Sequence, residues 1–412
     1  MRSVYQILGP GLLMAGAAIG VSHLVQSTRA GAAFGLQLLI LVILANFLKY
    51  PFFEFGHRYA TATGKNLLHG YHQLGRGFVW AFFLLNLITS VGTMAGVTFV
   101  TGALAHHLFA ETLTVGLWSV LILLLSGTLL LVGHYKLLDR LIKPLMLVLL
   151  LSTFLAFMVA LLKRTDWTPL FEVQASPFTW ATVPFLLALM GWMPAPIETS
   201  VWQSIWIEEK NRHLGFRVNW RLARLDFNIG YLATALLAVL FLLLGAVVMH
   251  GRGFEFSDSG ALFAAQVVSL YTENLGSWSW PLIAFAALAT MFSTTLTCLD
   301  AYSRSLAAAG ETLWSVSVPT KKRLYRWGLL WAGGWAAVVI YFFVTNLRSL
   351  VDLVTVAAFL TAPAFAYMNY RLIFSDQLPQ EFRPTRWQKG LCRLGLAYLI
   401  LFSLIYLAYL WL

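Results

Sequence analysis

Charge is scarce in this 412-residue chain: only 11% of its residues are Asp, Glu, Lys or Arg, against about 25% in a soluble globular domain. Acids are the rarer sign, 17 against 28 bases. Cysteine is nearly absent. Cys298 and Cys392 both fall in or beside apolar runs, so no disulfide framework is implied. The chain has no H-E-x-x-H, no G-x-S-x-G and no carboxylates paired in facing apolar segments, and it is read as a non-enzyme with no cofactor. Long polar stretches are missing too. The longest, near 207–226, 251–277 and 303–324, are too short for a soluble domain.

What remains is apolar. Hydrophobic residues make up 59% of the chain, and they recur in runs long enough to cross a bilayer. Eleven spans are expected, near 7–33, 36–56, 78–105, 113–133, 141–162, 178–206, 227–250, 278–302, 325–345, 348–372 and 390–411. The first run is too long and too interrupted for a cleaved signal peptide. The fold class that follows is an all-α polytopic membrane protein, read as one transmembrane domain over 1–412 and as a monomer. The stretch 261–273 reads as a short helix lying at the surface.

The net charge of +11 does not call for a nucleic acid. With the N-terminus cytoplasmic, 23 of the 28 Lys and Arg fall on the inner side, Arg2, Lys49, Lys136, Arg140 and Lys143 among them. Lys163, Arg164, Arg252 and Arg348 fall outside, and only Arg29 stays within a span. That bias is the positive-inside rule, so the basic excess reports orientation in a plasma (inner) membrane. An odd number of spans puts the C-terminus outside.

Two spans are interrupted. Span 1 carries glycines, a Ser-His pair and an arginine in "GAAIGVSHLVQSTRAG" (16–31), and breaks around Gly20-Val21-Ser22. Span 6 carries "GWMPAPIETS" (191–200), where Pro194 and Pro196 forbid a regular helix. Broken helices at matched positions in two five-helix halves, about 7–162 and 178–372, point to an inverted-repeat transporter with its site at the midplane. An extra helix follows near 390–411. The plainer reading is a pair of packing kinks.

The chain resembles the NRAMP family of divalent-metal transporters. The likeness covers most of the chain: "GPGLLMAGAAIG" entering span 1, "ATATGKNLLHGY" after span 2, "MP" at the break in span 6, "LDFNIGY" entering span 7 and "STTLT" in span 8. It implies the LeuT-type fold, a 5+5 inverted repeat with discontinuous helices 1 and 6. The departures lie at the site. Where the family has Asp-Pro-Gly-Asn in span 1, this chain has Gly20-Val21-Ser22-His23, and where the family has Met-Pro-His in span 6 it has Met193-Pro194-Ala195. The family's proton route is thinned as well: span 3 offers Asn86, Thr89, Ser90 and Thr93, and "WGLLWAGGWAAVVIYFF" in span 9 has no charge.

Among the acids only Glu198 falls near the centre, and among the histidines only His23, the other eight lying in loops or at helix ends. A hard divalent cation needs oxygen ligands, usually carboxylates, and a softer one favours imidazole or sulfur. Glu198, His23 and Met193 are all that is offered, with Arg29 opposing any cation. An anion is better served by the N-termini of the two second half-helices. Ser22, Gln26 and Arg29 share a helical face, and Gly16, Ala17, Ala18 and Gly20 leave room for something compact.

The expected substrate site is therefore Gly20, Ser22, His23, Gln26, Arg29, Met193, Ala195 and Glu198. Each has a structural reading beside it: Arg29 pairing with Asp352 or snorkelling, Ser22 as an N-cap, His23 as a packed histidine, Met193 as core filler, Glu198 as a complement to its helix end. Sodium is the expected coupling ion, because an anion entering against the membrane potential costs about 2.3 kcal/mol per 100 mV. Its expected site joins Ser293, Thr294 and Thr297 in span 8 to carbonyls at Ala17 to Gly20. The bland alternative is hydroxyls bonding back to their own helix. The expected function is a secondary transporter of a small inorganic ion across the lipid bilayer, with bicarbonate the named anion and nitrate or formate not separable from it. A divalent metal, manganese or magnesium, on a rearranged site is the alternative.

Overall fold

The structure is a computed structural model that describes residues 9–109, 113–133, 135–165, 167, 170, 176–252, 256–344 and 346–411. Arg2 and the side chains of Lys136, Arg140 and Lys143 lie outside the described residues.

Every regular element described is helical. Span 1 is α1 (Pro10–Ala18) and α2 (Thr28–Phe34), joined through a π-turn at Ser22–Ser27. Then come α3 (Leu39–Thr63), the short α4 (Leu67–Leu74), α5 (Arg76–Leu108), α6 (Val115–Val132) and α7 (Tyr135–Lys163). Span 6 is α8 (Val183–Gly191) and α9 (Thr199–Leu214). The rest are α10 (Trp220–Val248), α11 (Gly260–Leu275), α12 (Trp280–Trp314), α13 (Val318–Leu329) running on into α14 (Trp335–Phe343), α15 (Leu347–Ile373) and α16 (Arg386–Trp411). Eight helices among the described residues are long and apolar enough to cross a membrane. The two broken spans are not among them, since neither half alone is long enough. The helix expected over 261–273 is α11.

Both breaks sit where the sequence places them. The first helix ends at Ala18 because Ile19 turns extended, with ψ at 95°. In span 6 the chain leaves the helix after Gly191 and rejoins it at Thr199, across Pro194 and Pro196. Non-helical backbone at membrane depth survives only inside protein, and every residue from Trp192 to Glu198 is buried.

Glycine notches pin all four half-helices to their neighbours. A Cβ at Gly11 would strike the Asp226 carbonyl, and one at Gly230 would strike that of Gly11, so α1 lies directly on α10. Gly31 and Gly245 do the same for α2 and α10. In span 6, Gly191 of α8 faces the Thr355 carbonyl of α15, and Gly56 of α3 faces the Ser200 carbonyl of α9. Small residues that let backbones approach are the usual means of helix association in lipid.

Some charges expected at the rim are inside. Lys49, counted with the inner basic residues, is fully buried in α3, and Arg164, counted outside, is buried with its guanidinium on the carbonyls of Ala246 and Val247. His57, expected at a helix end, is buried within α3, with Nδ1 2.8 Å from Gln203 Oε1. For His57 the reason is length: α3 runs to Thr63 rather than 56, so this residue falls inside the bundle and needs a partner there.

Candidate functional site between the broken helices

A small cavity lies where the two breaks meet. Its volume is about 20 Å³, room for one compact occupant. Span 1 contributes Ala17, Gly20 and Ser22, and span 6 contributes Trp192, Ala195, Thr199 and Trp202. Thr93 of α5 with Thr294 and Cys298 of α12 close it.

Of the expected substrate residues, Gly20, Ser22 and Ala195 line this cavity. Gly20 is small because Thr294 is close: a Cβ there would lie 3.0 Å from Thr294 Cγ2. Ser22 is not an N-cap, since no side chain caps the start of the π-turn. Its hydroxyl sits 2.8 Å from His23 Nδ1 and 3.3 Å from the Ala18 carbonyl.

The other five are placed elsewhere. His23 Nδ1 meets Ser22 and Nε2 meets the Thr234 carbonyl at 3.0 Å, so both ring nitrogens are occupied by the protein. Gln26 and Arg29 point to α15. The Arg29 guanidinium clasps Asp352 at 2.7 and 3.2 Å, its Nη1 also donates to Gln26 Oε1 at 2.9 Å, and Gln26 Nε2 donates to Asp352 Oδ1 at 2.9 Å. The Phe185 ring covers the guanidinium at 5.0 Å. A guanidinium spent bidentately on a carboxylate is not offering itself to an anion, which corrects the expectation for Arg29. Met193 is buried core and does not line the cavity. Glu198 is buried and does not line the cavity, with Oε1 3.0 Å from the Tyr302 hydroxyl and Oε2 without a hydrogen-bond partner among the described residues.

The half-helix N-termini are also more self-contained than expected. The N–H groups of Thr199, Ser200 and Val201 donate to the carbonyls of Pro196, Ile197 and Glu198, and those of His23 and Leu24 to Gly20. Tight first turns close donors that an ideal helix end leaves open.

Of the expected coupling-ion residues on α12, Thr294 meets the end of α1. Thr294 Oγ1 lies 3.0 Å from the Gly16 carbonyl and 2.8 Å from that of Ile19, joining α12 to the end of α1. Ala17 is reached by the Cys298 thiol at 3.9 Å. Ser293 and Thr297 have buried hydroxyls without partners among the described residues. The Thr290 carbonyl of its own helix lies 3.1 Å away as well, so Thr294 has one hydroxyl hydrogen for three carbonyls, of which only that of Ile19 belongs to the stretch expected to meet a cation.

Two lining residues escaped the sequence reading. Trp192 and Trp202 are buried, both face the cavity wall, and neither indole N–H has a hydrogen-bond partner among the described residues. Trp202 packs edge-on against Tyr302 with ring centres 4.7 Å apart, and the Tyr302 hydroxyl lies 2.9 Å from Thr93 Oγ1. No group of three or more His, Cys, Asp or Glu that could hold a metal occurs among the described residues.

Comparison with known proteins decides the family. The model of Natural resistance-associated macrophage protein-like (Nramp) proteins matches residues 11–409. The chain belongs to the Nramp family. It is 37% identical over 409 residues to an uncharacterized protein, PM0681, of Pasteurella multocida (strain Pm70), covering 99% of this chain and 93% of that one. Among solved structures it is similar to a manganese transporter of Eremococcus coleocola in a single-substitution variant. That likeness has a TM-score of 0.67 at 17% identity, over 98% of this chain and 87% of that one. It is similar also to MhsT in complex with L-phenylalanine, with a TM-score of 0.63 at 14% identity over 97% and 98%. At such identities these likenesses show the fold, which is the LeuT type expected. This Nramp-family chain is an integral membrane protein of a family that carries ions across the bilayer. The comparisons give no support to bicarbonate or sodium.

Proposed function

We propose that this Nramp-family protein carries a small inorganic anion through the cavity between its broken helices, bicarbonate being the named candidate and sodium the coupling ion. The observation that carries the reading is the lining. Among the described residues no carboxylate and no imidazole line the cavity, while Trp192 and Trp202, which do line it, each carry an indole N–H without a partner. A buried donor left unpaired costs about 1–3 kcal/mol, and an oxyanion is the occupant that satisfies such donors. Arg29, held by Asp352, has no part in this. The hydroxyls of Ser293 and Thr297, without partners among the described residues, support a monovalent cation on α12.

A second reading, transport of a divalent metal, has the relatives on its side: the family itself and the manganese transporter of like fold. The comparisons favour it over the anion. Its ligands would be few, the Cys298 thiol and the half-satisfied Glu198 carboxylate, neither in a cluster of three.

Uptake into proteoliposomes separates the two. Labelled bicarbonate, formate and nitrate are offered with and without an inward sodium gradient, with manganese and magnesium in parallel. Anion uptake stimulated by sodium is expected. Metal uptake without anion uptake would overturn the proposal and put Glu198 at the centre of the second reading.

A further inference from the structure

We infer that Lys49 is a built-in cation that sets the charge preference of the site, a positioning residue in α3 that takes the place a bound cation would occupy at the end of α8. The inference rests on the anion reading and deepens it. When span 6 unwinds after Gly191, the last carbonyls of α8 lose their helical donors at membrane depth. Lipid-facing backbone could not bear that loss, so something inside the protein must meet them. The Lys49 ammonium does: Nζ donates to the Met190 carbonyl at 2.6 Å and to the Gly191 carbonyl at 3.0 Å.

The place matters more than the bond. Gly191 directly precedes Trp192, which lines the cavity. Freed carbonyls at a half-helix C-terminus are the groups that coordinate cations in transporters with broken helices. Here two of them are already filled by a charge tethered to the protein. The ammonium is fully buried, and the partners the structure gives it are neutral carbonyls with the Phe359 ring at 5.9 Å. No carboxylate forms an ion pair with it among the described residues, and the buried Glu198 carboxylate is the acidic group that acts on it through space. A positive charge tethered in a low-dielectric interior repels a second cation and attracts an anion, and Glu198 offsets it only to the extent that its carboxyl is ionised.

The test separates charge from hydrogen bonding. Lys49→Gln keeps N–H donors for the two carbonyls and removes the charge, while Lys49→Arg keeps the charge. KM and maximal rate for bicarbonate and formate are measured in proteoliposomes, beside the melting temperature of each purified variant. In Lys49→Gln we expect KM to rise by about tenfold or more, with melting near that of the wild type, and in Lys49→Arg a KM within about threefold of the wild type. A merely structural lysine would lower the melting temperature and the maximal rate and leave KM alone. Folded Lys49→Gln with the wild-type KM overturns the inference. So does folded Lys49→Arg whose KM rises about as far as that expected of Lys49→Gln, which decides the matter if the glutamine variant fails to fold. A wild type that takes up no anion overturns the anion reading and this inference together, whereas anion uptake with an unmoved Lys49→Gln KM overturns this inference alone.

Discussion

At Trp192 and Trp202 one atom each carries the functional argument. The rings are core by any measure, buried and packed, and only the indole nitrogens lack a partner. Replacing either by phenylalanine keeps most of the aromatic body and deletes the donor. If the donors hold an oxyanion, each replacement raises the anion KM by about two- to tenfold, the worth of a neutral hydrogen bond, and leaves the melting temperature nearly unchanged. A metal substrate would ignore the loss of an N–H, so an unchanged KM in both variants counts against the anion. Neither tryptophan was legible as a site residue. In a chain with 16 tryptophans an indole in an apolar run reads as packing, and an unpaired N–H is visible only once the neighbours are in place. Gly20, Ser22 and Ala195 line the cavity because they sit at the breaks, and the breaks are legible from glycine and proline in the sequence. For Arg29 the pairing with Asp352 stands beside the ligand reading, and the fold makes the choice for it and for Gln26, since Asp352 lies more than 300 residues away.

The element whose placement matters most is α1, the short first half of span 1. Its start is held by Asp226 of α10, which accepts from the Gly9 and Gly11 N–H groups at 3.0 and 2.8 Å. A carboxylate at a helix N-terminus meets both orphan donors and the positive end of the dipole. Asp226→Asn keeps one acceptor oxygen and removes the charge. The expected cost is about 1–3 kcal/mol, read as a lower melting temperature of the purified protein, and melting unchanged from the wild type would show that the clasp contributes nothing. The glycine contact beside it gives a harsher test. Gly230→Ala places a methyl against the Gly11 carbonyl, where backbone must move, so a loss of about 1–3 kcal/mol is expected there too, by the ordinary cost of overpacking. At this scale the sequence was informative. Proline and glycine placed both breaks, because what they do to a helix is local. Which helix each half would lean on was not readable, since contact between backbones at a glycine depends on the partner's path.

In the whole molecule the cavity lies between two polar fastenings. Toward one end of span 1, Asp226 holds α1; toward the other, Arg29 and Gln26 of span 1 hold Asp352 of α15. The second fastening joins elements from the two halves of the chain, and the charge bias expects it on the outer face. A carrier that exposes one central site to each side in turn must part the helices over that site. The Arg29–Asp352 pair bridges α2 and α15, so it must break when they part. Its side chains are 8% and 26% exposed, so breaking it costs more than parting a surface pair. Removing the pair by Arg29→Ala should therefore favour the parted state. The check is a cysteine placed at Ser22, on the cavity wall, in a protein whose Cys298 and Cys392 have been replaced by serine. Labelling of that cysteine by a membrane-impermeant thiol reagent should quicken several-fold with Arg29→Ala, while uptake slows because the closed state is harder to reach. The double variant with Asp352→Asn should add little, as expected when the first substitution has already removed a shared interaction. Labelling at the unaltered rate would mean that the pair fastens two helices that never separate, and the route to the cavity would have to be sought elsewhere.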